Sequence, residues 1–188
     1  MRKDFGPQTW MYPMPVLIIG TYDENGSPNA MNAAWGGIFD YNQIMICLSA
    51  HKTTENLYKY KALTISFATE DTVKASDYVG LVSGNKEPNK LEKAGLHPFK
   101  SEKVNAPLFE EYPLTLECVV KEFTNEGNGG CNVICEIVNV SAREDVLDEK
   151  GKVDVSKLKP LLFDSISNTY RSVGDVFAKA FKVGLEKK

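Results

Sequence analysis

PVLIIGTYDENGSPNAMNAAWGG, residues 15–37, is the stretch from which the rest of the chain can be read. Residues 16–19 (VLII) are an unbroken apolar run, too short for an independent helix and closed by Gly20, so they predict a strand buried on both faces. A strand of that kind lies in the middle of a sheet. Residues 23–28 (DENGSP) are turn formers, and Asn25-Gly26 predicts a tight reversal with positive φ at both central positions. The return segment, residues 29–37 (NAMNAAWGG), holds small side chains, two amides, one indole and two glycines. Without bulky branches at Cβ, such a strand can bring bare N–H and C=O groups against a flat polar ligand. A second reading also fits: a β-bulge at Gly36-Gly37, with the small residues making room for a neighbouring helix.

Downstream, residues 43–50 (QIMICLSA) predict another buried strand. The chain then enters a helix on which Leu57, Tyr58 and Lys61 fall at helical spacing, with Thr53 or Thr54 as its hydroxyl N-cap. Free N–H groups at a helix start, two hydroxyls, Lys52 and His51 together suit a single phosphate, since orphan donors and the helix dipole both favour an anion. An ordinary capped and solvated helix start is the alternative. Residues 62–68 (ALTISFA) alternate as a strand does. Asp71 is placed to cap a helix running to about residue 83, with Ala75, Tyr78, Val79 and Val82 on one face and Gly84 ending it. Residues 85–105 read as a polar surface excursion with a helical piece at 90–94, and ordered loops of that length are usually functional.

Residues 113–124 and 131–142 alternate on either side of a glycine-rich turn, 125–130, and predict a long antiparallel hairpin. Residues 161–163 predict a short strand. Residues 172–184 read as a closing amphipathic helix, its body at 174–184, with Val173, Val176, Phe177, Ala180 and Phe181 on one side. Six or seven strands with few helices give a mainly β (α+β) chain, a closed or partly closed antiparallel barrel.

At 188 residues, 43% hydrophobic, 25% charged and net −3, the chain suits one globular domain, 1–188, with a sizeable core. Lysines and arginines are scattered except at the end of the chain, so no basic stripe exists to track nucleic-acid phosphates. No apolar run approaches ~20 residues, and residues 1–4 lead into no signal-type core, so no membrane partner and a cytoplasmic location are expected. Cys47, Cys118, Cys131 and Cys135 form no CxxC pair, and with only two histidines a zinc site is not expected. Cys131 and Cys135 share a strand face ~13 Å apart, beyond disulfide reach, so buried thiols are expected. No protein nucleophile or general base stands out: His51 reads as a phosphate or solvent contact and His97 as a loop residue. Residues 1–12, with Trp10, Met11 and Tyr12 ahead of Pro13, read as an aromatic arm that either covers its own core or reaches across to a partner subunit.

Several of these pieces recur together. The 15–37 run, Thr53-x-x-Asn56, Val82-Ser83-Gly84, Lys90-Leu91 before Ala94-Gly95-Leu96, Asn105-Ala106-Pro107 and residues 113–118 (PLTLEC) resemble, in order and spacing, the flavoredoxin branch of the flavin reductase-like proteins. The likeness covers about 13–184. It implies an FMN-binding split β-barrel of Greek-key antiparallel type with a few peripheral helices, a homodimer, and electron transfer from NAD(P)H or a redox protein through FMN to a flavin, ferric or disulfide acceptor. It implies that Met31, Asn32, Ala33, Ala34 and Trp35 line the flavin ring and ribityl chain. Ser49, His51, Lys52, Thr53, Thr54 and Asn56 would hold the ribityl chain and phosphate, and Ser83, Gly84 and Lys90 would close over them. Relatives often carry a His where this chain has Gly130 and a Gly where it has Cys135, which leaves the electron donor open. An electron carrier that depends on a partner protein is the other functional class, and a non-redox split barrel that binds some other phosphate-bearing cofactor, or none, is a third.

Overall fold

In the computed structural model, which describes residues 1–127 and 130–187, the apolar run of residues 16–19 sits in the middle of the molecule. The chain begins with β1 (Met14–Pro15), β2 (Leu17–Tyr22), β3 (Pro28–Ala33), β4 (Gly36–Asp40) and β5 (Gln43–Leu48). Helix α1 (Lys52–Tyr60), β6 (Ala62–Phe67), α2 (Val73–Leu81) and α3 (Lys90–Ala94) follow. A small hairpin, β7 (Pro98–Lys100) and β8 (Pro107–Phe109), precedes the long one, β9 (Leu114–Gly127) and β10 (Gly130–Ala142). Helix α4 (Val155–Leu158), β11 (Leu161–Asp164) and β12 (Thr169–Ser172) complete the regular structure.

Seven strands form one antiparallel sheet in the order β3-β2-β6-β9-β10-β5-β4. Its two edges, β3 and β4, are consecutive in sequence and joined only by Ala34-Trp35, so the curled sheet is closed by the chain and not by a hydrogen-bonded ladder. That junction is the split in the barrel. Segment 29–37 is therefore two strands and not one: β3 pairs with β2, and β4 crosses to pair with β5. Strand β2 is buried on both faces because two cores meet on it. Leu17 and Ile19 pack inside the barrel with Ile46, Leu63, Ile65 and Val133, while Val16 and Ile18 pack outside it with Val79, Phe109 and Leu161. Cys118 and Cys135 lie in the inner core, where burial pushes both thiols up, Cys135 to about 12.

Local chemistry explains the departures from expectation. Gly20 does not close β2 but lies within it; a Cβ there would stand 2.3 Å from Thr64 Oγ1 and 2.8 Å from the Pro107 carbonyl oxygen, so the glycine allows two segments to approach. The β2–β3 reversal is a longer loop than expected, in which Gly26 alone of the pair takes positive φ (+74°) and Asp23 Oδ1 accepts from the Asn25 and Ser27 N–H groups at 2.8 and 2.9 Å. Helix α2 is entered through a 3₁₀ turn, Glu70–Thr72, with Thr69 and Thr72 forming a capping box in place of an Asp71 cap. It ends at Leu81 with Val82 extended, which leaves Gly84 free for another role.

The expected closing helix over 174–184 is absent. After β12 the chain runs without regular structure to a 3₁₀ turn at Val183–Lys187, with Phe177 and Phe181 101% and 98% exposed. An amphipathic helix of this length owes its stability to burial of its apolar face, and nothing in this chain covers that face. Of the expected 125–130 turn, Asn128 and Gly129 lie outside the described residues. Among the described residues no helix is long and apolar enough to cross a membrane.

Candidate functional site

As an edge strand, β3 turns the N–H and C=O of every second residue away from β2. The Ala30 carbonyl belongs to that outward set, because it accepts a 2.7 Å hydrogen bond from Lys90 Nζ on α3. A period of two puts the backbone groups of Asn32 on the same side. The small side chains at 30, 33 and 34 keep this edge open. Helix α2 packs beside it: the Asn32 side-chain amide donates to the Ser76 carbonyl at 3.0 Å, and a Cβ at Gly80 would come within 2.9 Å of Asn32 Cβ.

Two cavities meet at this edge and share Met31, Asn32 and His51. The first, about 250 Å³, is lined by Asn29, Lys52, Thr53, Ser83, Gly84 and Lys90 besides the shared residues and 79–82. It gathers two lysines, a histidine and the N-terminal end of α1, and none of its described lining residues is acidic. His51 is the N-cap of α1 and forms no side-chain cap bond, so the first-turn N–H groups of the helix are open to a ligand. Thr53 is not the cap; its hydroxyl accepts from Asn29 Nδ2 at 2.9 Å. Gly84 lies so close to this pair that a Cβ would sit 2.5 Å from Asn29 Oδ1. Lys90 is only 4% exposed, and burial lowers its ammonium from 10.5 to about 8.

The second cavity, about 690 Å³, lies at the split and is lined by Ala33, Ala34, Trp35, Cys47, Ser49 and Asn132 among others. Twelve of the fourteen residues implied by the resemblance thus line one cavity or the other: Met31, Asn32, Ala33, Ala34, Trp35, Ser49, His51, Lys52, Thr53, Ser83, Gly84 and Lys90. Thr54 and Asn56 line neither. The Thr54 hydroxyl donates to the Ser49 carbonyl at 2.6 Å, and the Asn56 amide donates to Thr21 Oγ1 at 3.0 Å, so both anchor α1 to the barrel from behind the site. Asn29, Gly80 and Asn132 are lining residues that sequence reasoning did not single out. Gly130, where relatives often have a His, is held small by its surroundings, since a Cβ would stand 2.8 Å from the Leu48 carbonyl oxygen. His97 lies outside both cavities and pairs with Glu111 at 2.5 Å, which raises its pKa; Glu110 is the third member of this surface group.

A flat ring at the open edge and one phosphate at the cationic helix start are what this pair of cavities can hold together. The flavin reductase like domain matches residues 10–172. The structure of flavoredoxin from Desulfovibrio vulgaris (Miyazaki F) is 35% identical and superposes with a TM-score of 0.91 over 98% of this chain and 100% of that one. Flavoredoxin from Methanosarcina acetivorans is 29% identical, with a TM-score of 0.89 over 100% of both chains. An uncharacterized Bacillus subtilis (strain 168) protein, YdfE, is 23% identical over 197 residues, covering 96% of this chain and 93% of its own.

Proposed function

The chain belongs to the flavin reductase-like family, and on that premise we propose that it is an FMN-dependent oxidoreductase of flavoredoxin type, a single domain that passes electrons from NAD(P)H or a redox protein to a flavin, ferric or disulfide acceptor. FMN is its cofactor. The observation that carries the reading is the juxtaposition of an acid-free cationic cavity of about 250 Å³ with a larger one at the barrel split, the two sharing Met31, Asn32 and His51.

The residues fit the group. Lys52, Lys90, Thr53, Ser83 and the free N–H groups at the start of α1 would hold the phosphate, since charge-assisted bonds and the helix dipole both favour a dianion there. Gly84 keeps a backbone-lined cradle open where a side chain would collide with Asn29. Met31 to Trp35 and Ser49 would line the ring and ribityl chain. When bound, FMN supplies the redox chemistry, exchanging electrons singly or in pairs. The outward backbone of the β3 edge would place dipoles where negative charge grows, in the manner of an oxyanion hole. Thr54 and Asn56 fix the position of α1 and with it the phosphate donors.

Flavin fluorescence quenching on titration tests the reading; a purified protein that is colourless and leaves FMN fluorescence unchanged would refute it. Steady-state NAD(P)H oxidation, with and without free flavin, separates a reductase from a carrier fed by a partner protein.

A further inference from the structure

The two cavities divide charge unequally. All the cationic groups stand around the smaller one, with Lys52 and Lys90 joined by the N-terminal end of α1. Among the described residues lining the larger one, only His51 can carry positive charge, and it belongs to both. The remainder is amide, hydroxyl, thiol, small apolar and indole surface. This cavity, about 690 Å³, is more than twice the volume of its neighbour at about 250 Å³. It continues through Ala34, Trp35 and Cys47 into an apolar groove of about 470 Å³ between β4 and the arm, lined by Met11, Met14, Ile38 and Met45 among others.

Resting on the FMN reading, we propose that the second reactant, which would share the larger cavity with the flavin ring, is an uncharged flat molecule, a quinone or aromatic carbonyl, and not a pyridine dinucleotide. A dinucleotide brings a pyrophosphate, whose charges need cations or a helix N-terminus once they leave water. Among the described residues the site offers one such place, and the single phosphate of FMN would fill it. A neutral ring needs only an apolar wall and a few polar contacts, and this cavity supplies both. With FMN bound, the cofactor would supply the two electrons that, with two protons from solvent, turn such a quinone into a hydroquinone, and a redox protein would be the source of those electrons. Because a second copy of the chain can bring cations of its own, the test uses the FMN-loaded protein in its native assembly.

The oxidised FMN-loaded protein is titrated with 1,4-naphthoquinone, with 1,4-naphthoquinone-2-sulfonate, and with the oxidised dinucleotides NAD⁺ and NADP⁺, which cannot reduce the flavin, following perturbation of the flavin absorbance. The neutral quinone should bind at least tenfold more tightly than its sulfonate and than either dinucleotide. Asn132→Arg, which adds a cation to this cavity, should reverse the order of the two quinones. Equal or tighter binding of the sulfonate or a dinucleotide to the unaltered protein overturns the proposal while leaving FMN binding intact. A flavin spectrum that no neutral ring perturbs overturns it too. Failure to load FMN removes the functional reading itself and this inference with it.

Discussion

Lys90 Nζ donates to the Ala30 carbonyl at 2.7 Å, joining α3 to the open edge of the barrel inside the cavity assigned to phosphate. Burial has lowered this ammonium from 10.5 to about 8, so below pH 8 it is charged and above it mostly neutral. A phosphate dianion stabilises the charged form and restores the proton. FMN binding should therefore take up a proton above pH 8, and FMN affinity should fall as pH rises through that value. In the protein without FMN the sign is opposite: the unfolded chain binds the proton up to 10.5, so this group's contribution to stability rises with pH between about 8 and 10.5. Titrations of FMN at several pH values check the first part, and Lys90→Met should flatten the profile. An affinity independent of pH from 7 to 10 in the unaltered protein would count against a phosphate beside Lys90.

The cationic cavity is sized for one terminal phosphate, about 250 Å³ between α1 and residues 79–84. FMN should bind and FAD should bind poorly, since Lys52, Lys90 and the start of α1 make one cationic centre, suited to one phosphate. Lys52→Ala should weaken FMN binding by about 1.5–3 kcal/mol through loss of a charged hydrogen bond. Parallel fluorescence titrations with the two flavins are the measurement, and FAD binding as tight as FMN would defeat the enclosure.

Two glycines should respond differently to the same substitution. Gly84→Ala puts a methyl 2.5 Å from Asn29 Oδ1 at the cavity wall, so it should lower FMN affinity with little change in the melting temperature of the FMN-free protein. Gly20→Ala forces a methyl against Thr64 Oγ1 and the Pro107 carbonyl in the core, and should cost roughly 1–3 kcal/mol of stability or more. Thermal melts and FMN titrations on both variants distinguish the cases.

The contrast between these glycines shows what the sequence could carry. Periodicity and apolar runs were enough to place β2, β5, β6 and the β9–β10 hairpin, because those strands are defined by what they bury. The tail over 174–184 has equally good helical periodicity, yet periodicity states only which residues would share a face and not whether a surface exists to receive it. The division of residues 29–37 into β3 and β4 was hidden because each half forms a hairpin with its own sequence neighbour on an opposite edge of the sheet, and no local signal marks the change of partner, while strands as short as β1 and β12 owe their existence to β11. In the site, residue types at the start of α1 pointed to a phosphate, but side-chain direction decided which hydroxyl faces it. Thr53 and Thr54 are neighbours in sequence, and one lines the cavity while the other bonds back to Ser49. Asn29 gave no local signal, since its role depends on Thr53 and Gly84 coming to it from other elements.

The last expectation is a homodimer whose subunits together cover the flavin. Strand β4 and its turn leave Ile38 81% and Tyr41 102% exposed, beside Phe39 and Trp35, and the arm leaves Trp10 and Met11 exposed across the apolar groove of about 470 Å³. Exposed apolar side chains of this size on an edge strand are what a second surface would cover. The arm is not loose: the Tyr12 hydroxyl donates to Asp164 Oδ1 at 2.6 Å, and Phe5 packs edge-on to Trp10 with centroids 5.0 Å apart. The Asp164 carboxyl is held well below its usual range, first by Tyr12, with Ser167 and Arg171 adding to the same effect. An arm anchored at one end with its aromatic face outward is prepared to meet a second surface, and an obligate pair of this kind should bury ~2,000 Å² or more. Because the groove shares Ala34, Trp35 and Cys47 with the ring cavity, whatever covers the groove also shields the flavin from bulk solvent and oxygen. Sedimentation of the full chain, of a chain lacking residues 1–12 and of Tyr12→Phe gives the test. The full chain should sediment as a dimer, the truncated chain should lose both dimer and FMN, and Tyr12→Phe should weaken both by a smaller amount. A full-length monomer that still holds FMN tightly would show that one subunit encloses the cofactor alone, and the exposed edge of β4 would then need a different partner.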